Sequence, residues 1–148
     1  MQRERVVHSV EISTIAHATD DLSKVQAALR AILPDSLRER ELFTRRYLQG
    51  HYGNPIVTFD ARLTKLSEVE DFTQHFIKRI PKGEKLLIKL DMDLHSDGEG
   101  NLFIRINKQQ ALRGTVEIGD EDPIRVKLKF SRLAGKLEDL MKEILELE

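Results

Sequence analysis

An imidazole, a phenol ring and a carboxamide meet in one short turn, Gln49-Gly50-His51-Tyr52-Gly53-Asn54-Pro55. Glycine, asparagine and proline belong there for conformational reasons, since a chain reversal needs a positive φ or a φ fixed near its turn value. His51 and Tyr52 are not needed to make the turn. An exposed Tyr52 ring can stack on an unpaired base, and His51 or the Asn54 amide can bond to phosphate or a base edge. A hairpin loop whose aromatic covers the end of a sheet accounts for the same residues.

Cations supply the second candidate chemistry. Arg125, Lys127 and Lys129 are strictly alternate, so in a strand they share one face, opposite the apolar Ile124, Val126 and Leu128. Arg105 lies within the apolar run 101–107, Lys108, Gln109 and Arg113 follow it, and Arg45 and Arg46 precede the turn. A single basic sheet face suits a phosphate backbone, because each cation placed on a phosphate releases a condensed counterion. A plain solvated face accounts for the stripe as well.

The acidic stretch from Asp91 to Gly100 superficially offers metal ligands. Laid on the calcium-loop template from Asp93, it supplies Asp93, His95 and Asp97 as early ligands, but Ile104 falls where the bidentate glutamate belongs. The segment is therefore read as an acidic turn, and neither a metal nor a cofactor is expected. There is no P-loop, no dinucleotide-binding glycine pattern, no Gly-x-Ser-x-Gly elbow and no His-Glu-x-x-His pair, so no catalytic residue is assigned.

Elements must position these groups, and composition bounds them. The chain has 148 residues, 40% hydrophobic and 33% charged, which fits one folded domain over 1–148 and argues against disorder. Its net charge is −1. A protein held on nucleic acid by its overall field is usually basic, so a phosphate-binding surface here requires segregation of charge. No apolar run approaches the about 18 residues of a membrane span, the N-terminal residues lack a secretory pattern, and cysteine is absent. These features exclude disulfides and thiolate chemistry and lead to the expectation of a cytoplasmic protein.

Residues 6–17 alternate as a strand, with Val6, His8, Val10, Ile12, Thr14 and Ala16 on one face. Thr19 and Asp20 are expected to cap a helix that Pro34 stops. Residues 41–49 and 56–63 read as a hairpin around the His51-Tyr52 turn, with Val57, Phe59, Ala61 and Leu63 inward. Ser67 and Glu70 have capping-box spacing before a helix carrying Val69, Phe72, Phe76, Ile77 and Ile80. Residues 84–95 fit a strand or a helix. Strands are predicted at 101–107 and 123–130 with a short one at 114–118 between them, then a helix capped by Ser131 with Leu133, Leu137, Leu140, Met141 and Ile144 inward. The order predicts an α+β fold, a mixed β-sheet with helices mainly on one face.

Several of these segments together resemble an archaeal family of small RNA-binding domain proteins, described as predicted exosome-associated subunits. The matching parts are Val10 to Asp20, Lys24 to Arg30 with Leu33-Pro34, Gly50 to Ile56, Leu102 to Ala111, and Asp122 to Lys127. The resemblance implies a fold similar to the five-S-rRNA-binding protein of the large ribosomal subunit, with a clear helix near 84–95. It also implies RNA and exosome subunits as partners in an archaeal cytoplasm.

The reading that follows is a non-catalytic RNA-binding protein. Arg45, Arg46, Arg105, Lys108, Arg113, Arg125, Lys127 and Lys129 would meet phosphates, Tyr52 would stack, and His51, Asn54 and Gln109 would bond to sugar or base edges. The alternative is an interaction module, a homodimer among the options, whose sheet edge or face pairs with a second subunit. A metal-dependent nuclease using the acids from Asp91 to Asp97 is a third.

Overall fold

The structure, a computed structural model, describes residues 6–131 and 136–147. In chain order the elements are β1 (Val7–His17), α1 (Leu22–Ala31), α2 (Asp35–Arg38), β2 (Thr44–Gln49), β3 (Pro55–Leu63), α3 (Leu66–Arg79), α4 (Lys82–Leu90), α5 (Met92–His95), β4 (Asn101–Asn107), α6 (Lys108–Leu112), β5 (Pro123–Phe130) and α7 (Leu137–Leu145). The five strands form one sheet in the order β2-β3-β1-β5-β4. The α+β fold expected from the sequence is present. All four strand pairings are antiparallel, where a mixed sheet was expected.

Alternation puts one face of the sheet in the core. Val10 lies between Leu63 and Leu128, and Ile12 between Ala61 and Val126, all of them buried. Phe59, Leu102, Ile104 and Ile106 extend the same layer. Val25, Ala28 and Leu29 of α1 and Val69, Phe72, Phe76 and Ile77 of α3 cover it. The Phe72 and Phe76 rings stack with centroids 5.3 Å apart. Each such side chain contributes about 1.5–3 kcal/mol on burial. Among the described residues no helix is long and apolar enough to cross a membrane.

Several local expectations change. The phase of β1 breaks at a bulge between Val7 and Ser9, so Val7 and Ser9 are buried and His8 is exposed, the reverse of strict alternation. Asp21, not Thr19 or Asp20, caps α1, its carboxylate accepting from the Ser23 N–H at 3.0 Å. Asp20 instead closes the preceding turn by accepting from the His17 N–H at 2.8 Å. Helix α3 starts one residue before Ser67, so Ser67 and Glu70 do not form a capping box.

Residues 84–95 are helical, as the resemblance implies. Ile88 and Met92, four apart, are buried, while Leu86, Leu87, Leu90 and Leu94 are exposed. The segment 114–118 contributes a single bridge, Ile118 to Ile106, instead of a strand. Helix α7 begins at Leu137 without a side-chain cap, and Leu133 lies outside the described residues.

Candidate nucleic-acid interface

The second face of the sheet carries no helix among the described residues, and the register fixes what it displays. Arg125 lies opposite Ser13 on β1 and opposite Arg105 on β4. Lys127 lies opposite Glu11 and Phe103, and Lys129 opposite Ser9 and Asn101. Across the sheet, Arg46 faces Thr58 and Thr44 faces Asp60. Directly opposed side chains are about 5 Å apart at Cβ, and like charges there repel. The Arg105–Arg125 pair is therefore costly unless an anion lies between the two guanidinium groups.

Acids do not cancel this surface. Lys127 is paired, its ammonium 3.2 Å from Glu11 and 5.8 Å from the centre of the Phe103 ring. Arg46, Arg105, Arg125 and Lys129 have no ion pair among the described residues. Asp60 is the other strand acid on this face, two strands and about 10 Å from Arg125. A depression of about 580 Å³ lined by Ile15, Arg46, Thr58 and Arg125 crosses the face, and three acids, Asp60, Asp120 and Asp122, also line it.

The His51-Tyr52 turn stands at one end of that face. Gly53 takes φ +80, and the ends are closed by Gly50 N–H to Asn54 O at 2.5 Å and Gly53 N–H to Gly50 O at 2.9 Å. The Asn54 side chain folds back over Gly50, where an added Cβ would lie 2.6 Å from Asn54 Oδ1, so Gly50 is required for that close approach. Tyr52 is 92% exposed and meets His51 edge to face at 4.9 Å. This ring covers no sheet end and is free to stack.

Four of the sequence-predicted residues do not join the face. Lys108 is only 7% exposed. Its ammonium donates to Ile15 O at 2.7 Å and Asp122 Oδ1 at 2.8 Å, which ties α6 to β1 and neutralises Asp122. Arg45 faces the helix side, opposite Phe59, with its guanidinium 5.2 Å over that ring and a hydrogen bond to the Tyr47 hydroxyl at 3.2 Å. Gln109 is exposed on α6, and Arg113 sits at the end of that helix among other arginines. Conversely, the half-buried Phe103 belongs to the face and was missed; its alternate position with Arg105 in β4 carried the signal. Arg62, opposite Glu11, joins it too.

The acidic turn has a structural account. Asp97 accepts from the Glu99 N–H at 2.8 Å and from the Asn101 side-chain amide at 2.7 Å, and these bonds hold its carboxyl below the usual range, the Asn101 side chain foremost.

Fold and surface together define an α+β protein that packs helices on one face of an antiparallel sheet and leaves a cation-rich face open. Residues 9–130 match the family described as RNA binding, and the chain belongs to that family. It is 28% identical over 141 residues to a Pyrococcus abyssi protein named RNA-binding protein PAB1135, covering 94% of this chain and 92% of that one. It is 32% identical over 143 residues to protein MJ0213 of Methanocaldococcus jannaschii, covering 94% and 95%. The crystal structure of protein AF2318 from Archaeoglobus fulgidus superposes with a TM-score of 0.78 at 30% identity, covering 95% of this chain and 99% of that one.

Proposed function

We propose that the protein binds RNA, without cutting it, on the open face of its sheet. The observation that carries this reading is the Arg105–Arg125 pair, two arginines directly opposed in register with no ion pair on either among the described residues. A phosphate between them relieves their repulsion and gains charge-assisted, bidentate hydrogen bonds. Arg46 and Lys129 extend the phosphate track along the face, and Lys127 adds to it by exchanging Glu11 for phosphate. Phe103 and Tyr52 offer rings to unpaired bases, and His51 and Asn54 offer polar contacts at the turn. Family membership and the Pyrococcus abyssi relative's name support the same reading. Work beside an exosome-type complex or on ribosomal RNA, in the cytoplasm, is the finer role that the resemblance adds.

Titrating a labelled single-stranded oligonucleotide into the wild type and a Phe103→Ala variant tests the surface. Binding should weaken by about 1–3 kcal/mol in the variant, and equal affinities would remove the sheet face from the site. The same oligonucleotide should stay intact with magnesium or manganese, and metal-dependent cleavage would overturn the non-catalytic part. Sorting the cellular RNAs crosslinked to the protein assigns the finer role, and a set free of exosome substrates and ribosomal RNA would contradict it.

One observation favours a second reading, pairing with another copy of the chain. Leu86, Leu87, Leu90 and Leu94 form an exposed apolar stripe across α4 and α5, with Leu90 71% exposed. Lys89 and Asp91 flank Leu90, so an antiparallel pairing about Leu90 brings the partner copy's aspartate beside a lysine that in its own chain pairs with Glu146 at 3.4 Å. Light scattering on a sizing column should show a dimer that Leu90→Glu dissolves, and a monomeric wild type would end this reading.

A further inference from the structure

A second cationic site lies on the helical side of the molecule, on the sheet face's opposite side. The C-terminal ends of four helices converge there, and each brings an arginine: Arg30 in the last turn of α1, Arg38 in α2, Arg79 in α3 and Arg113 at the end of α6. All four line one groove of about 620 Å³, together with Ser23 and Gln26, and its lining contains neither an acid nor an aromatic ring.

The plain explanation is that these cations satisfy the helix ends, and for two of them it holds. Arg79 donates to the Ala31 carbonyl at 2.6 Å and to the Gly114 carbonyl, tying α1 to the turn after α6. Arg38 donates to the Leu33 carbonyl at 2.9 Å and pairs with Asp35 at 3.1 Å. Arg30 and Arg113 are exposed and have no side-chain hydrogen bond or ion pair among the described residues. A helix end carries at most about half a negative charge, and short helices such as α2 and α6 carry less, so four guanidinium groups and one carboxylate leave the groove positive.

His75, next to Arg79 and outside the groove's lining, senses the same field. Its ring lies 3.3 Å from the Arg79 guanidinium, and burial first, then Arg79 and Arg38, push its titration below the usual imidazole range against the opposing pull of Asp35. Burial and Arg38 likewise lower Arg79.

We propose that this groove binds closely spaced phosphates, through two arginines fixed to backbone carbonyls and two free to close on the ligand. With no ring in the lining, it recognises phosphoryl oxygens and not bases. That chemistry is shared by a free condensed phosphate and by a tightly folded nucleic-acid backbone.

The test is calorimetric titration of pyrophosphate into the full chain, with the His75 ring followed by NMR. Arg30→Gln with Arg113→Gln should weaken pyrophosphate binding about tenfold or more, because it removes two charge-assisted partners and leaves Arg38 and Arg79 in place. Followed at His75, which lies beside Arg79, that binding should be unchanged by Arg105→Gln with Arg125→Gln, so the ring reports the groove apart from any phosphate the sheet pair holds. Bound pyrophosphate should move the His75 midpoint upward. An RNA oligonucleotide that displaces pyrophosphate identifies a nucleic-acid backbone as the source, and one that leaves it bound identifies the free phosphate; either result keeps the site. No heat from pyrophosphate at millimolar concentration, an unmoved His75, or equal losses in the groove and sheet variants would overturn it. None of these readouts requires that RNA bind the sheet.

Discussion

Single residues separate binding from stability in this molecule. Tyr52 is 92% exposed and its one ring contact among the described residues is with His51, so Tyr52→Ala should leave the thermal midpoint where it is and weaken oligonucleotide binding by about 1–3 kcal/mol. Lys108 behaves in the opposite way. Removing its ammonium strands the Ile15 carbonyl and leaves Asp122 uncompensated, so Lys108→Met should cost about 1–3 kcal/mol in denaturant unfolding while the salt dependence of RNA binding keeps the wild-type slope. His75 adds a pH dependence. Its folded value lies below its unfolded one, so the unfolded chain binds more protons, and stability falls as pH drops below about 6.5 and levels off once pH passes below the folded value. His75→Gln should flatten that part of the profile; a profile identical to wild type would remove His75 as its cause.

Elements show which parts of the fold a sequence displays. Strands β3, β4 and β5 and helix α3 were legible because one periodicity runs through each: Val57, Phe59, Ala61 and Leu63 alternate, and Val69, Phe72 and Phe76 recur at helical spacing. Edge strand β2 is exposed on both faces, so its alternation carried no burial signal and the side taken by Arg45 could not be read. A bulge reversed β1 around His8, and one extra residue of that kind leaves no mark in the composition. Residues 84–95 stayed open between strand and helix because four leucines, Leu86, Leu87, Leu90 and Leu94, face outward and the buried pair, Ile88 and Met92, fits either period. Lys108 stood in a run that resembled a phosphate-binding segment, and only the tertiary approach of Ile15 and Asp122 turned it inward. The junction of β4 and α6 carries its own test. Asn107 caps α6 by accepting from the Gln110 N–H at 2.9 Å, so Asn107→Ala should cost about 1 kcal/mol, read as a lower unfolding midpoint.

Over the whole molecule, a net charge of −1 coexists with a face on which Arg46, Arg105, Arg125 and Lys129 lack acid partners among the described residues. Many of the balancing acids lie elsewhere, in the 91–99 segment and the outer faces of helices such as α7, while Asp120 and Asp122 border the face beside Arg125, with Asp122 held by Lys108. Such segregation lets a nearly neutral chain hold a polyanion locally without a strong overall field. The claim is decided by oligonucleotide affinity measured against salt concentration for the wild type and for Arg105→Gln with Arg125→Gln. One phosphate shared by Arg105 and Arg125 and one each on Arg46, Lys127 and Lys129 predict a log–log slope of roughly −3 on single-stranded RNA for the wild type, falling to roughly −2 in the double variant. A flat wild-type response, or one slope shared by both proteins, would contradict RNA binding on the open face.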